Sequence, residues 1–209
     1  MDETVLAEVR RVMAPETETT VTARRRAASV SPPAPEVGAL LRWAARTIQA
    51  HAVVEVGAAG GVSGAWLLPE LPPRGVLTSL EPDTHAHGLA TDAYEAIGAG
   101  SRVRAILGEP AMVLGRLSAH AYDLVLLQSR PAATAELLDH ARRLLRPGGM
   151  LLIRGALRGG EDADARATAL QILAEDEAFT ATVLPVDGGL VLATRLADPD
   201  ADPAAAAGH

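Results

Sequence analysis

Val53-Val54-Glu55-Val56-Gly57-Ala58-Ala59-Gly60-Gly61-Val62-Ser63-Gly64 begins as an apolar run of strand type and breaks into small residues. It then passes at once into Ala65-Trp66-Leu67-Leu68, a stretch of helical character. A strand that turns into a helix through glycines brings backbone N–H groups and the positive helix end against a ligand. Glycine suits such a turn because a side chain would block the approach and because positive φ costs it nothing. The turn is therefore of nucleotide-binding type. Its glycine spacing, together with the strands and acids C-terminal to it, decides which nucleotide.

Working outward, strand and helix patterns alternate. Helical spacing runs over residues 2–13, with Val5, Leu6, Val9, Val12 and Met13, and again over 36–50, with Val37, Leu40, Leu41, Ala44 and Ile48 on one face. Between them, Thr17 to Pro35 is polar, then proline-broken, and carries Arg24-Arg25-Arg26. After the turn, strands are predicted over 75–80, 102–106, 122–127 and 150–153, and helices over 85–97, 111–117, 134–145 and 162–175. Two last strands, 180–184 and 190–194, flank Asp187-Gly188, a hairpin signal. Buried strands alternating with helices predict a doubly wound parallel sheet, here with an antiparallel end. Residues 1–34 are expected to form a helix with a lid or linker, 35–197 the ligand-binding domain, and 198–209 a low-complexity, disordered tail.

Composition narrows the function. A chain of 209 residues fits one domain of ordinary α/β size. Aromatics make up 2%, so Leu, Val and Ala must form the core. No run reaches the ~20 apolar residues a membrane span needs, and the N-terminus lacks the order of a signal peptide, so a cytoplasmic protein is expected. Net charge is −7, which argues against nucleic acid as a partner. Cysteine is absent, excluding thiolate and Cys-zinc chemistry, and all 19 basic residues are arginine. No lysine can serve as base or nucleophile.

The dinucleotide fingerprint G-x-G-x-x-G would require glycine at position 59, which is Ala59, so a nicotinamide-dependent oxidoreductase is disfavoured. The looser E-x-G-x-x-x-G-x-S turn is satisfied by Glu55, Gly57, Gly61 and Ser63, and it is the first motif of class I methyltransferases that use S-adenosylmethionine. Glu81-Pro82 closes the second strand, where a carboxylate can accept hydrogen bonds from both ribose hydroxyls. Gly108-Glu109-Pro110 follows the third strand, where an adenine-contacting turn would lie. Tyr122-Asp123-Leu124-Val125, followed by Leu144-Leu145-Arg146-Pro147-Gly148-Gly149, is a frequent methyltransferase pairing.

From about Ser31 to Leu196 the chain resembles the catechol O-methyltransferase-like family, particularly its small bacterial members. Ser31-Pro32-Pro33, Glu36-Val37-Gly38 and the Leu184-Pro185-Val186-Asp187-Gly188-Gly189-Leu190 hairpin carry the likeness beside the turn, the acids and the strand pairing. The resemblance implies a Rossmann-like seven-stranded sheet of order 3-2-1-4-5-7-6 with strand 7 antiparallel, and a homodimer. It also implies a small-molecule acceptor and S-adenosylmethionine as cofactor, with S-adenosylhomocysteine as product. Glu55, Gly57, Ala58, Gly61, Ser63, Glu81, Pro82, Gly108, Glu109, Pro110 and Gln128 are the cofactor-binding residues it points to.

The likeness fails where the chemistry should be. Family members carry Asp-Ala-Asp-Lys after strand 4, where this chain has Gln128-Ser129-Arg130-Pro131. They carry Asp-Asn after strand 5, where it has Arg154-Gly155. A hard divalent cation needs anionic or carbonyl oxygens, so no metal is expected. Two readings remain. One is a metal-independent O-methyltransferase in which Gln128, Arg130 and Arg154 are candidate catalytic groups, the arginines pairing a substrate carboxylate or phenolate. The other is an adenosyl-binding protein of the same fold that has lost catalysis. The alternative for each arginine is an exposed side chain at the rim of the sheet. Trp66 is expected to pack under the turn and Trp43 to serve core or dimer contact, while Arg24-Arg25-Arg26 forms either a lid or a solvated loop.

Overall fold

The computed structural model describes residues 3–128, 134–160 and 163–197. Arg130, one of the candidate catalytic arginines, and the tail from residue 198 lie outside the described residues. The N-terminal helices are α1 (Glu3–Met13), α2 (Glu18–Arg26) and α3 (Pro35–Thr47). Then come β1 (Ala52–Val56), α4 (Val62–Leu67), β2 (Val76–Glu81), α5 (Thr84–Ala96), β3 (Val103–Leu107) and α6 (Pro110–Leu114). The second half is β4 (Tyr122–Leu127), α7 (Ala135–Leu144), β5 (Leu145–Arg154), α8 (Ala163–Glu175), β6 (Phe179–Leu184) and β7 (Leu190–Arg195).

Local chemistry sets these boundaries. Side chains of Thr17, Asp83 and Thr134 accept from the backbone N–H groups of Thr20 (3.2 Å), Ala86 (2.8 Å) and Leu137 (3.2 Å), capping α2, α5 and α7. Proline opens α3 and α6, where its missing N–H is not needed. The strands form one sheet of order β3-β2-β1-β4-β5-β7-β6, parallel except for β7, which runs antiparallel to both neighbours. This is the expected architecture.

The central strands bury both faces. Val54, Val56, Val125, Leu127, Leu151 and Ile153 point toward α7 and α8, while Val53, Leu124, Leu126 and Leu152 point toward α3, α4 and α5. Each fully buried leucine contributes on the order of 2 kcal/mol. The edge strands β3 and β6 are only partly covered, as sheet edges are. Chain order reverses between β1 and β4, so a cleft opens at the carboxyl ends of the strands beside this switch point.

The pairing of two sequence motifs has a physical cause at the opposite end of the sheet. Asp123 Oδ2 accepts from the N–H groups of His51 (2.5 Å) and Ala52 (2.7 Å), and its Oδ1 meets Arg146 Nε at 2.7 Å. One carboxylate thus ties β1 and β4 to the Arg146 turn. Gly149 is required there because a Cβ would stand 3.0 Å from Asp123 O.

The segment from Thr17 to Pro35, which the sequence marks as polar and broken, instead holds α2 and a 3₁₀ turn (Ala27–Val30). Its helix is short and mostly polar, so it carries little apolar periodicity. Ala23 and Ala27 nevertheless bury against Val62 and Trp66, and Arg24 pairs with Glu16 at 2.6 Å. The first strand segment of β5 also begins earlier than expected, because Leu145 bridges Tyr122 before a register shift. Helix α1 forms as predicted, though Val5, Val12 and Met13 are exposed, and Arg10 ties it to Glu36 of α3.

Candidate active site

A cavity of about 400 Å³ lies at the carboxyl ends of the strands. Gly57 lines it after β1, Glu81, Pro82 and Asp83 after β2, Gln128 after β4, and Arg154 and Arg158 after β5. Ser29, Val30 and Ser31 of the N-terminal segment border it as well. A wider hollow of about 690 Å³, along Met13, Leu40 and Trp43, lies on the outer side of α3, away from the strand ends. The polar groups of the wider hollow, Glu36, Arg42, Arg46 and Glu70, come mostly from α3, whereas those of the strand-end cavity come from the N-terminal segment and the ends of β2, β4 and β5.

Under the cavity sits Glu55. The register pairs it with Ser79 of β2 and Leu126 of β4, on the face packed by α4 and α5. Its carboxylate is fully buried and accepts from Ser63 Oγ (2.5 Å), Ser79 Oγ (2.7 Å) and Tyr94 Oη (2.6 Å). Burial outweighs these hydrogen bonds and lifts the Glu55 carboxyl to about 7, with nearby Glu81 adding to the rise. Burial, and then the charge of Glu55, push the Tyr94 hydroxyl well above its ordinary range.

Gln128 joins this network from β4. Its Nε2 donates to Gly57 O (2.6 Å) and Ser63 Oγ (2.7 Å), an arrangement that fixes which amide atom is nitrogen. Gln128 Oε1 is buried with no partner among the described residues. Glu81 is held by two backbone donors: Ala58 N–H to Oε2 at 2.8 Å and Asp83 N–H to Oε1 at 3.1 Å. Each oxygen keeps a lone pair for another donor.

The glycines of the turn take the positive φ expected of them, and two of them also make room for neighbouring helices. Gly57, Gly60 and Gly61 have φ of 87°, 65° and 81°. A Cβ on Gly60 would stand 2.5 Å from Ala27 Cβ, and one on Gly61 2.7 Å from Ala93 Cβ. These two positions are kept bare by the protein's own helices. Gly64 is bare for the Tyr94 ring, 2.4 Å from a Cβ there, and Gly38 for Trp66, 2.2 Å from its Cβ. Trp66 is thus buried beneath the turn with the Arg42 guanidinium 5.5 Å from its ring centre, whereas Trp43 is 54% exposed.

Of the residues singled out in the sequence, the structure brings Gly57, Glu81, Pro82, Gln128 and Arg154 together around the cavity. Glu55, Ala58, Gly61 and Ser63 lie buried behind it, and the Ala58 N–H is taken by Glu81. Gly108, Glu109 and Pro110 lie one loop further out, joined to the site through Gly108 N–H to Glu81 O at 3.1 Å.

Arg154 is neither at an exposed rim nor free. It is 4% exposed, and its Nε meets Asp187 Oδ2 at 2.5 Å. Its Nη1 and Nη2 donate to the carbonyls of Ser31 and Pro32, both at 2.9 Å. This one side chain fastens the N-terminal segment to the end of β5 and to the hairpin before β7. Asp187 also accepts from Ala34 N–H (3.3 Å) and faces Arg158 Nη2 (3.3 Å).

Sequence reasoning did not pick out Ser29, Asp83 or Arg158. Only the Asp-Thr-His cap pattern at 83 left a local signal, since the others reach the cavity through contacts distant in sequence. Among the described residues no group of three His, Asp or Glu side chains could hold a metal ion. At the ends of β4 and β5 the described lining groups are a neutral amide and two guanidiniums, which offer a divalent cation no anionic oxygen.

A doubly wound sheet of this order, with a glycine turn after β1 and a carboxylate held after β2, defines an α/β protein of methyltransferase architecture. The chain belongs to the O-methyltransferase family, whose sequence profile matches residues 3–196. A protein of Mycobacteroides abscessus that carries the O-methyltransferase name is 42% identical over 185 residues, 83% of this chain and 86% of its own. The solved structure of cofactor-bound Rv0187 from MTB is 25% identical, with a TM-score of 0.80 over 93% of this chain and 97% of that one. An O-methyltransferase from Bacillus cereus, solved in complex with SAH, superposes with a TM-score of 0.82 at 20% identity, covering 92% and 97%, and bears on the fold alone.

Proposed function

We propose that this O-methyltransferase uses S-adenosylmethionine to methylate an oxygen of a small acceptor without a divalent cation. The observation that carries the reading is the cavity itself, which joins a fixed carboxylate at the β2 end to a salt-bridged guanidinium at the β5 end. S-adenosylmethionine would supply an electrophilic methyl: an acceptor oxygen already free of its proton, as in a carboxylate or phenolate, would give the electron pair for the new bond, and the carbon–sulfur pair would stay on sulfur as a neutral thioether.

The chain's own groups divide the work. Glu81, oriented by two backbone N–H groups, keeps one lone pair on each oxygen for the ribose hydroxyls, a bidentate contact strengthened by its charge. Gln128 spends its Nε2 on Gly57 O and Ser63 Oγ and so holds the glycine turn against the end of β4. Glu55, Ser63 and Tyr94 hold the turn from behind rather than touching the ligand. Arg154 positions the Ser29–Ser31 wall of the acceptor end. Methyl transfer from a sulfonium needs alignment of the nucleophile more than acid–base help, so a rigid cavity suffices for the task.

The same reading carries a homodimer, with exposed Trp43 as contact, and a cytoplasmic location. No helix among the described residues is long and apolar enough to cross a membrane. The net charge of −7 speaks against nucleic acid as a partner.

Calorimetric titration with S-adenosylmethionine, with and without Mg²⁺, tests this. The expected result is saturable binding of equal strength in both. Binding that tightens strongly with Mg²⁺ overturns the metal-free part, and no binding in either condition overturns the whole. Methyl transfer to a panel of phenols and carboxylates then identifies the acceptor.

A further inference from the structure

We propose that Arg158 is the specificity determinant of the acceptor end and that it selects acceptors carrying a carboxylate. The inference rests on the methyl-transfer reading and names the substrate class for it.

The loop that bears Arg158 is hydrogen-bonded to its neighbour. The hairpin before β7 grips it through Gly155 N–H and Ala156 N–H to Gly189 O (2.7 and 3.1 Å) and Leu157 N–H to Gly188 O (2.8 Å). Arg158 lies across two turns that have no side chains of their own. A Cβ on Gly188 would stand 2.5 Å from Arg158 Nε and 2.7 Å from its Cγ, and one on Gly155 would stand 3.2 Å from its Cδ. Both glycines have positive φ, 78° and 81°. Two bare turns thus form a shelf on which an extended guanidinium side chain lies beside the cavity.

Among the described residues the charge on that shelf is only partly matched. Arg154 and Arg158 share the single carboxylate of Asp187, and Arg154 holds it at 2.5 Å. Arg158 reaches Asp187 Oδ1 and the Asp187 carbonyl only through Nη2, at 3.3 Å each. Its Nε and Nη1 have no acceptor among the described residues, and the side chain is 31% exposed. The other acids on the cavity, Glu81 and Asp83, lie after β2, three strand spacings from β5, or roughly 14 Å. At that distance across a wet cavity they do not neutralise it. Among the described residues the cavity is therefore polarised, with acid at the ribose end and a half-satisfied guanidinium at the acceptor end. A planar carboxylate accepts two parallel N–H bonds from such a fork, whereas a neutral group of the same shape gains neither the charge nor the second bond.

The test uses a matched pair of probes, 4-hydroxybenzoate and 4-hydroxybenzamide, titrated calorimetrically into the protein saturated with S-adenosylhomocysteine. The carboxylate is expected to bind about tenfold more tightly than the amide, with the preference shrinking as salt is raised. Arg158→Met abolishes the preference and Arg158→Lys keeps part of it, because an ammonium retains the charge but not the fork. Equal affinities in the parent protein, or an unchanged preference in Arg158→Met, overturn the proposal. Should Arg158→Met fail to fold, the salt series on the parent protein decides, and a preference insensitive to salt overturns it. Failure of S-adenosylhomocysteine to bind, seen before either probe is added, overturns the methyl-transfer reading instead.

Discussion

The carboxyl ends of β1 and β5 lie two strands apart and bury polar groups beneath one cavity in opposite ways. At β1, no cation among the described residues pairs with Glu55; hydroxyls surround it, and burial lifts its carboxyl to about 7. At β5, Arg154 is almost as deeply buried and is compensated by a carboxylate and two carbonyls. Burial of an ionisable group is tolerable by neutralisation through a proton or by pairing with a counter-charge. The first solution yields a turn whose stability answers to pH. The second yields a clamp that holds distant segments together and leaves one more guanidinium, Arg158, facing the cavity.

Four experiments break or sharpen this contrast, and the largest effect belongs to the turn. Gly61→Val places a branched side chain at φ 81°, against Ala93 and the Ala90 backbone. A loss of about 4 kcal/mol is expected from strain and overpacking together. Thermal unfolding should fall by on the order of 10 °C. An unchanged midpoint would show that α5 yields easily and that the turn is not shaped by packing.

Arg154→Met comes next. Removing one partner of a buried pair is expected to cost about 3 kcal/mol, because Asp187 keeps only Arg158 and the Ala34 N–H. The N-terminal segment should then become accessible to limited proteolysis between α2 and α3. Protection equal to that of the parent chain would mean that Arg154 is not the clamp.

The pH response of Glu55 separates the two ends directly. Its folded-state value is raised from 4.5 to about 7, so between those values the folded protein binds more protons than the unfolded chain. Stability from this group is therefore full below pH ~4.5 and falls as pH rises to ~7, by roughly 3 kcal/mol. Denaturant unfolding of the parent and of Glu55→Gln across that range checks the sign, since the variant should lack this decline. Parallel curves would show that Glu55 is not held neutral by burial.

The smallest effect expected is in ligand binding. Glu81→Ala removes a charge-assisted bidentate contact and should weaken S-adenosylmethionine about a hundredfold, and by orphaning the Ala58 N–H it should lower stability by about 1 kcal/mol. Loss below tenfold would shift the ribose contact to another group.

The sequence made the sheet legible because burial leaves a local trace. Strands such as Leu124 to Leu127 read as unbroken apolar runs, and caps at Asp83 and Thr134 mark where helices start. Helix α2 escaped because it is short, polar on most of its surface, and fixed by two alanines whose partners Val62 and Trp66 lie far along the chain. Within the site, Glu81 and Gln128 were legible from their places just after strands. The partnering of Arg154 with Asp187 was not, because 33 residues separate them and nothing local in either stretch points to the other. Gly60 and Gly61 carried the opposite difficulty: their identity was plain, but the neighbours that demand it come from α5 and from the Ala27 turn.

By itself, then, the sequence determined the order of the elements, the glycine turn after β1 and the acid after β2. It also determined the want of anionic donors at the ends of β4 and β5. All of these are properties of residue type and short spacing, which act on the backbone over a few residues. Only the tertiary structure decided which glycines make room for helices and which one faces the cavity. It alone decided that Glu55 lies behind the cavity rather than lining it, and that Arg154 is buried on Asp187 and two carbonyls while Arg158 stays partly exposed beside the cavity. Those outcomes depend on which side chains meet after the sheet has closed, when burial sets the cost of a charge and distance selects its partner.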